Sequence, residues 1–189
     1  MAKWTFEPGH TAAEFTVRHM MVTLVRGHLK DIHGTMEFDL ENPTTAHVEA
    51  RIEVPKLWTG EPNRDAHLKS ADFLDVQNHD QIRFVGTQVR HLGANHFRLI
   101  GDLTIRGISR QASLDVQYLG QWETPFWVGD TNYGPVTRAG FVATAVINRH
   151  DFEVNWNSTL EGGGSVVADD VYVTIDVEAI RDKEGLTIA

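Results

Sequence analysis

The segment Val171-Tyr172-Val173-Thr174-Ile175-Asp176-Val177 alternates apolar and polar side chains without a break. In an extended chain successive side chains point to opposite faces. Val171, Val173, Ile175 and Val177 then share one face, and Tyr172, Thr174 and Asp176 share the other. The same alternation recurs along the chain. Ala13, Phe15, Val17 and His19 alternate with Glu14, Thr16 and Arg18, and Met36, Phe38 and Leu40 with Glu37 and Asp39. Val48, Ala50, Ile52 and Val54 form another row, as do Phe97, Leu99, Gly101, Leu103 and Ile105. Ile82 and Phe84 flank Arg83, and two more rows run Ala112-Leu114-Val116-Tyr118 and Phe141-Ala143-Ala145-Ile147. With residues 22–29 as a less regular member, the pattern predicts about eight or nine antiparallel strands.

Turn chemistry agrees. Gly93-Ala94-Asn95 and Arg106-Gly107-Ile108-Ser109 separate strands at hairpin length. Residues 63–74 break the pattern and read as one short helix, with Asn63 as N-cap and Ala66, Leu68, Ala71 and Phe73/Leu74 as its apolar stripe. Residues 121–138 hold Trp122, Phe126, Trp127 and Tyr133 between Pro125 and Pro135, and read as a long loop. Nothing alternates strand with long helix, so a parallel α/β sheet is excluded. The strands can close into a barrel or stack as a sandwich, and their length fits a tall barrel. Small residues at Gly101, Ala139, Ala143 and Ala145 leave room along an axis. One domain over residues 1–180 with a loosely held tail over 181–189 is the expected organisation.

The chain has 189 residues, with 17 Lys and Arg against 26 Asp and Glu, for a net charge of -9. Such a chain repels phosphate backbones and anionic lipid headgroups, so neither nucleic acid nor a membrane anchor built from basic residues is expected. No run approaches the 18 or so apolar residues of a membrane span. There is no cysteine, which removes disulfides, thiolate metal sites and cysteine nucleophiles. The N-terminal residues lack an apolar signal-peptide run. As given, a cytoplasmic protein is expected, or a periplasmic one if a leader has been removed.

Catalytic apparatus is sparse. Ten histidines are present, but His28/His33 and His91/His96 are spaced five apart on no helix, and HExxH is absent; no metal site is expected. Neither GxSxG nor a phosphate-binding glycine loop occurs. Ser70 lies near His67 and Asp72 on a helix surface, where such groups cap or solvate. His19, on an apolar strand face, and His67, in the helix, are either satisfied polar groups or partners for a ligand's polar head. Arg149-His150-Asp151-Phe152 reads as an ion pair holding a loop on the barrel rim.

Several segments together carry a resemblance. They are Arg18-His19-Met20, Arg26-Gly27, Gly34-Thr35-Met36-Glu37-Phe38-Asp39 and the 64–74 segment from Arg64-Asp65-Ala66-His67 to Asp72-Phe73-Leu74. Gly101-Asp102-Leu103-Thr104-Ile105-Arg106-Gly107, Ala139-Gly140-Phe141-Val142-Ala143 and Arg149-His150-Asp151-Phe152 follow. In order and spacing the chain resembles the YceI-like family of lipocalin-like, polyisoprenoid-binding proteins. The resemblance implies an all-β, extended eight-stranded antiparallel lipocalin-like β-barrel with a short helical cap. It further implies a bound polyisoprenoid or isoprenoid quinone, a homodimer, no catalysis and no required cofactor. On that basis the expected pore lining is Phe15, Val17, Met36, Phe38, Ile52, Phe84, Leu99, Leu103, Leu114, Val116, Phe141, Ala143 and Ala145. Trp58 and Phe73 are expected to seal the helix end, and His19, Arg64 and His67 to meet the headgroup. Two other readings stand beside this one: a stress-related interaction barrel filled by its own side chains, and a hydrolase using His67.

Overall fold

The computed structural model describes residues 1–183. Ten strand segments follow in order: β1 (Ala2–Phe6), β2 (Ala12–His19), β3 (Thr23–Leu29), β4 (Ile32–Phe38), β5 (His47–Glu53), β6 (Gln81–Gly93), β7 (His96–Ile105), β8 (Ile108–Val128), β9 (Thr131–Asn148) and β10 (Val167–Arg181). All pairings are antiparallel, in the order β1-β4-β5-β6-β7-β8-β9-β10, and β10 pairs back to β1. The sheet is therefore closed. β1 and β2 lie end to end along β10, through Phe6↔Ala179 and then Ala12↔Asp176. β3 and β4 likewise continue one line beside them. The ten segments thus make an eight-stranded barrel with two bent staves.

The bends are handled locally. Between β1 and β2 the Thr11 hydroxyl, 1% exposed, donates to Glu178 O at 3.3 Å and accepts from Glu178 N at 3.2 Å. A side chain thereby replaces the ladder bonds that the bend removes. Between β3 and β4, Asp31 takes φ 59°. At the β7–β8 turn Arg106 and Gly107 have φ 52° and 73°, the backbone of a tight two-residue hairpin.

Three expectations need correction. Residues 121–138 are not a loop. β8 and β9 stay paired from Trp122↔Arg138 to Thr124↔Val136 and on to Trp127↔Asn132, forming a two-stranded arm beyond the barrel end. Its Phe126 and Val136 pack on Ile180, while Trp122, Trp127 and Tyr133 remain exposed on the arm. The helix, α1 (Pro62–Lys69), is capped by Glu61 and not Asn63. The Glu61 carboxylate accepts from Asn63 N at 3.1 Å and Arg64 N at 2.6 Å, with Pro62 in the first turn, where its missing N–H costs nothing. Finally, Gly101 does not open the axis. A Cβ there would stand 2.5 Å from the Phe84 ring and 2.3 Å from Val85 O, so the neighbouring ring already occupies that space. Arg181 belongs to β10, and the rest of the expected tail from 184 onward lies outside the described residues.

Candidate functional site: an apolar cavity inside the barrel

The inward face of every stave is apolar, so the interior has no polar wall. It encloses a cavity of about 220 Å³. One end is a floor of packed rings. Phe38 lies 6.2 Å from Phe97, 5.8 Å from Tyr118 and 5.4 Å from Phe141, centroid to centroid. Burial of the Tyr118 hydroxyl raises its pKa, so this phenol stays neutral and adds no charge to the floor. At the other end Leu103, Ile105 and Ile147 line the cavity and also pack on Phe73, Phe152 and Val154 beneath the helix cap.

The cap is fastened through backbone carbonyls. Arg106 donates to Phe73 O at 3.1 Å, Glu153 O at 2.9 Å and Ala71 O at 2.9 Å. Arg149, its side chain 5% exposed, donates to Val154 O, Trp156 O, Ala168 O and Val167 O. Burial lowers the Arg149 pKa, while the Asp169 carboxylate opposes that shift. The expected ion pair on the rim is therefore mainly a guanidinium satisfying carbonyls, with Asp169 3.8 Å away.

Of the residues expected at a ligand site, Phe15, Met36, Phe38, Ile52, Phe84 and Leu99 lie on the cavity wall. So do Leu103, Leu114, Val116, Phe141, Ala143 and Ala145. The other six stand elsewhere. Val17 pairs with Val25 and Val171 one step above Phe15, and His19 pairs with Thr23 and Val167 at the rim. Trp58 does not seal the helix end. Its backbone extends the free edge of β3 at His28, which turns the indole outward, 59% exposed and stacked on the His28 ring at 5.8 Å. Phe73 is buried within the cap, above the wall. Arg64 donates to Thr59 Oγ1 and O at 2.8 and 2.9 Å, tying the helix to the preceding segment. His67 stands edge-on to Phe73 and Trp156, at 4.9 and 4.7 Å, with Nε2 2.9 Å from Asp72 Oδ2. Ser70 donates to His67 O at 2.8 Å, so its hydroxyl caps the helix end.

The wall also includes residues that the sequence reading left out. Val48, Ala50, Ile147, Val173, Ile175 and Val177 belong to rows already visible as alternations, so the signal that marked their neighbours marks them too. Phe6 and Ile32 sit in short bent segments where no row is long enough to see. Gly34 faces Phe6, whose ring would be 2.5 Å from an added Cβ.

One ligand-type trio escaped the sequence reading as well. His10 Nδ1 lies 2.6 Å from Glu7 Oε2 and 3.4 Å from Glu178 Oε1, with all three ligand atoms within 4.8 Å of one another. Arg138 is hydrogen-bonded to the same Glu178 oxygen, so a cation is already supplied there. The trio borders an outer hollow flanked by Leu119 and Trp122, separate from the barrel interior.

A family model for the YceI-like domain matches residues 4–179. A UPF0312 protein of Pectobacterium atrosepticum is 34% identical over 181 residues, covering 96% of this chain and 86% of its own. Among solved structures, Burkholderia cenocepacia BcnA superposes with a TM-score of 0.73 at 20% identity, over 92% of this chain and 98% of its own. A polyisoprenoid binding domain from Saccharophagus degradans superposes with a TM-score of 0.64 at 11% identity, over 96% and 100%. The match across nearly the whole barrel places the chain in the YceI-like family.

Proposed function

We propose that the barrel binds the hydrocarbon chain of one amphiphilic isoprenoid lipid, of polyprenyl or isoprenoid-quinone type, and carries or stores it without chemistry of its own. The observation that carries this reading is a cavity of about 220 Å³ whose lining side chains are all apolar. Burying a polar group there without a partner costs roughly 2–7 kcal/mol, so a sugar, peptide or nucleotide is rejected. A branched hydrocarbon gains roughly 0.8 kcal/mol per methylene-sized group, or about 4 kcal/mol per isoprene unit. A few units offset the cost of association. A likeness in fold to a polyisoprenoid binding domain supports the same class. The wall offers a ligand no hydrogen bond, so selectivity comes from the length and girth of the hydrocarbon, and the headgroup stays outside the wall.

The open volume weighs against a barrel filled by its own side chains. Against hydrolysis, Ser70 is committed to the helix end, and His67 lies outside the cavity wall. The reading is tested by thermal unfolding with added polyprenol, isoprenoid quinone and a sugar of similar mass. Both isoprenoids should raise Tm in a concentration-dependent way, since a ligand that binds only the folded state stabilises it. A Tm that no isoprenoid moves would sink the proposal. The homodimer belongs to the same reading and is tested by sedimentation of the purified chain.

A further inference from the structure

Three consecutive apolar side chains stand in water at the turn joining β2 to β3. Met20 is 44% exposed, Met21 53% and Val22 81%, with Leu24 39% exposed beside them. Runs of exposed apolar residues are avoided on a free surface unless they meet something. The backbone sharpens the point. Met20 and Met21 both take positive φ, 49° and 61°, and Val22 N donates to His19 O at 3.1 Å. Such a turn suits Asn-Gly, since long side chains are strained in the left-handed region. Neither turn formation nor core burial accounts for two methionines there. The tip is also backed. Met20 N donates to Val166 O at 2.8 Å, and a Cβ on Gly164 would lie 3.7 Å from Met21 Cγ.

Charge is ordered below the tip. Arg18 pairs with Leu24, and Arg26 pairs with Thr16 one step further down. On the neighbouring stave Tyr172 also pairs with Thr16 and is 56% exposed. Arg18 is exposed, and Glu14 comes no nearer than 3.9 Å to the Arg26 guanidinium. The acidic pair at this end is partly answered: Asp169 is held by His150 and Arg149, and Asp170 faces Asn148. An apolar point, followed first by Arg18 and then by Arg26 and Tyr172 at one level, has the composition of a membrane-interface anchor: apolar side chains to insert, and guanidinium and phenol groups for the headgroups.

We propose that the β2–β3 tip docks the barrel on a lipid bilayer. Met20, Met21 and Val22 enter the boundary between headgroups and acyl chains, and Arg18 and Arg26 meet lipid phosphates. The tip rises from the strand that places Phe15 on the cavity wall, at the end that carries the helix cap, so docking sets the capped end of the cavity against the lipid. The inference goes beyond isoprenoid binding, and either can fail without the other.

The test is flotation of the full chain with vesicles of equal parts phosphatidylcholine and phosphatidylglycerol, and with phosphatidylcholine alone. The parent should float with the mixed vesicles. Met20→Asn/Met21→Gly should reduce vesicle binding by at least about tenfold through lost apolar burial, while its Tm rises because the turn is relieved. Arg18→Gln/Arg26→Gln should lose the preference for the anionic mixture. Isoprenoid occupancy, read by solvent extraction in vesicle-free buffer, should be unchanged in both. The proposal is overturned if the Asn-Gly variant floats as the parent does, or if the parent never floats. It is also overturned if the parent is a vesicle-free dimer that the Asn-Gly variant converts to monomer, since the tip is then a contact between copies.

Discussion

Ala143 sits midway along β9, 6% exposed, paired with Val116 on one side and Ile175 on the other, and all three line the cavity. Ala143→Phe sends a ring from this position into open volume instead of into packed atoms. The ring takes room comparable to one isoprene unit, whose burial is worth about 4 kcal/mol at 0.8 kcal/mol per methylene-sized group. A flexible chain recovers part of this by shifting, so a loss of about 2 kcal/mol is expected, or roughly thirtyfold in Kd. Stability should barely change, because overpacking costs its usual ~1–3 kcal/mol only where no void exists. The assay is displacement of a fluorescent isoprenoid by a short and a long polyprenol, with thermal unfolding on the same samples. The long chain should weaken more than the short one. A variant that keeps its Tm and binds the long polyprenol as tightly as the parent would refute the reasoning, because the volume around Ala143 would not be where the chain lies.

The remaining predictions concern the cap and its anchors. Arg149→Met leaves four backbone carbonyls without their donor. A loss of about 3 kcal/mol or more is expected, seen as a Tm fall of roughly 6–12 °C, and Arg149→Lys should not restore it, because an ammonium cannot span the fork. Arg106→Gln frees the carbonyls of Ala71, Phe73 and Glu153; stopped-flow exchange of a bound isoprenoid should accelerate about tenfold. The His150 pKa is raised, first by its hydrogen bond to Asn155 and then by that to Asp169. The stability it contributes is complete below the ordinary imidazole value of about 6.5 and is lost as pH rises through the raised folded value. The Tm difference between parent and His150→Gln should shrink over that window, and a difference that grows with pH would contradict the assignment.

The barrel was legible because one buried face imposes a period of two. On β9 and β10, Phe141 to Ile147 and Val171 to Val177 face a single interior, and the wall residues fall at every second position. The alternation ends where the single interior ends. The arm around Trp122 and Trp127 leaves the barrel, so no common core disciplines its sequence, and its Pro and Gly residues mimic a loop. The helix start was misread because Glu61 caps through a carboxylate reaching two N–H groups, a job that short polar side chains do more often. Trp58, Arg64 and His67 have the chemistry of a ligand site. Their places are set by particular contacts: the His28 backbone for Trp58, the Thr59 carbonyl five residues back for Arg64 and the distant Trp156 ring for His67. Periodicity carries no information about such contacts. The Glu7, His10 and Glu178 trio is hidden for the same reason, since it forms only when β10 closes on the start of the chain.

The proposed occupant of the apolar interior is an isoprenoid chain. Native mass spectrometry of protein purified without detergent tests it most directly, followed by solvent extraction and mass analysis of the lipid. Isoprenoid binding predicts one extra mass per chain that extracts as a polyprenyl lipid or isoprenoid quinone and falls in occupancy in Ala143→Phe. A clean mass for the protein alone, unchanged after incubation with both lipid classes, would contradict it.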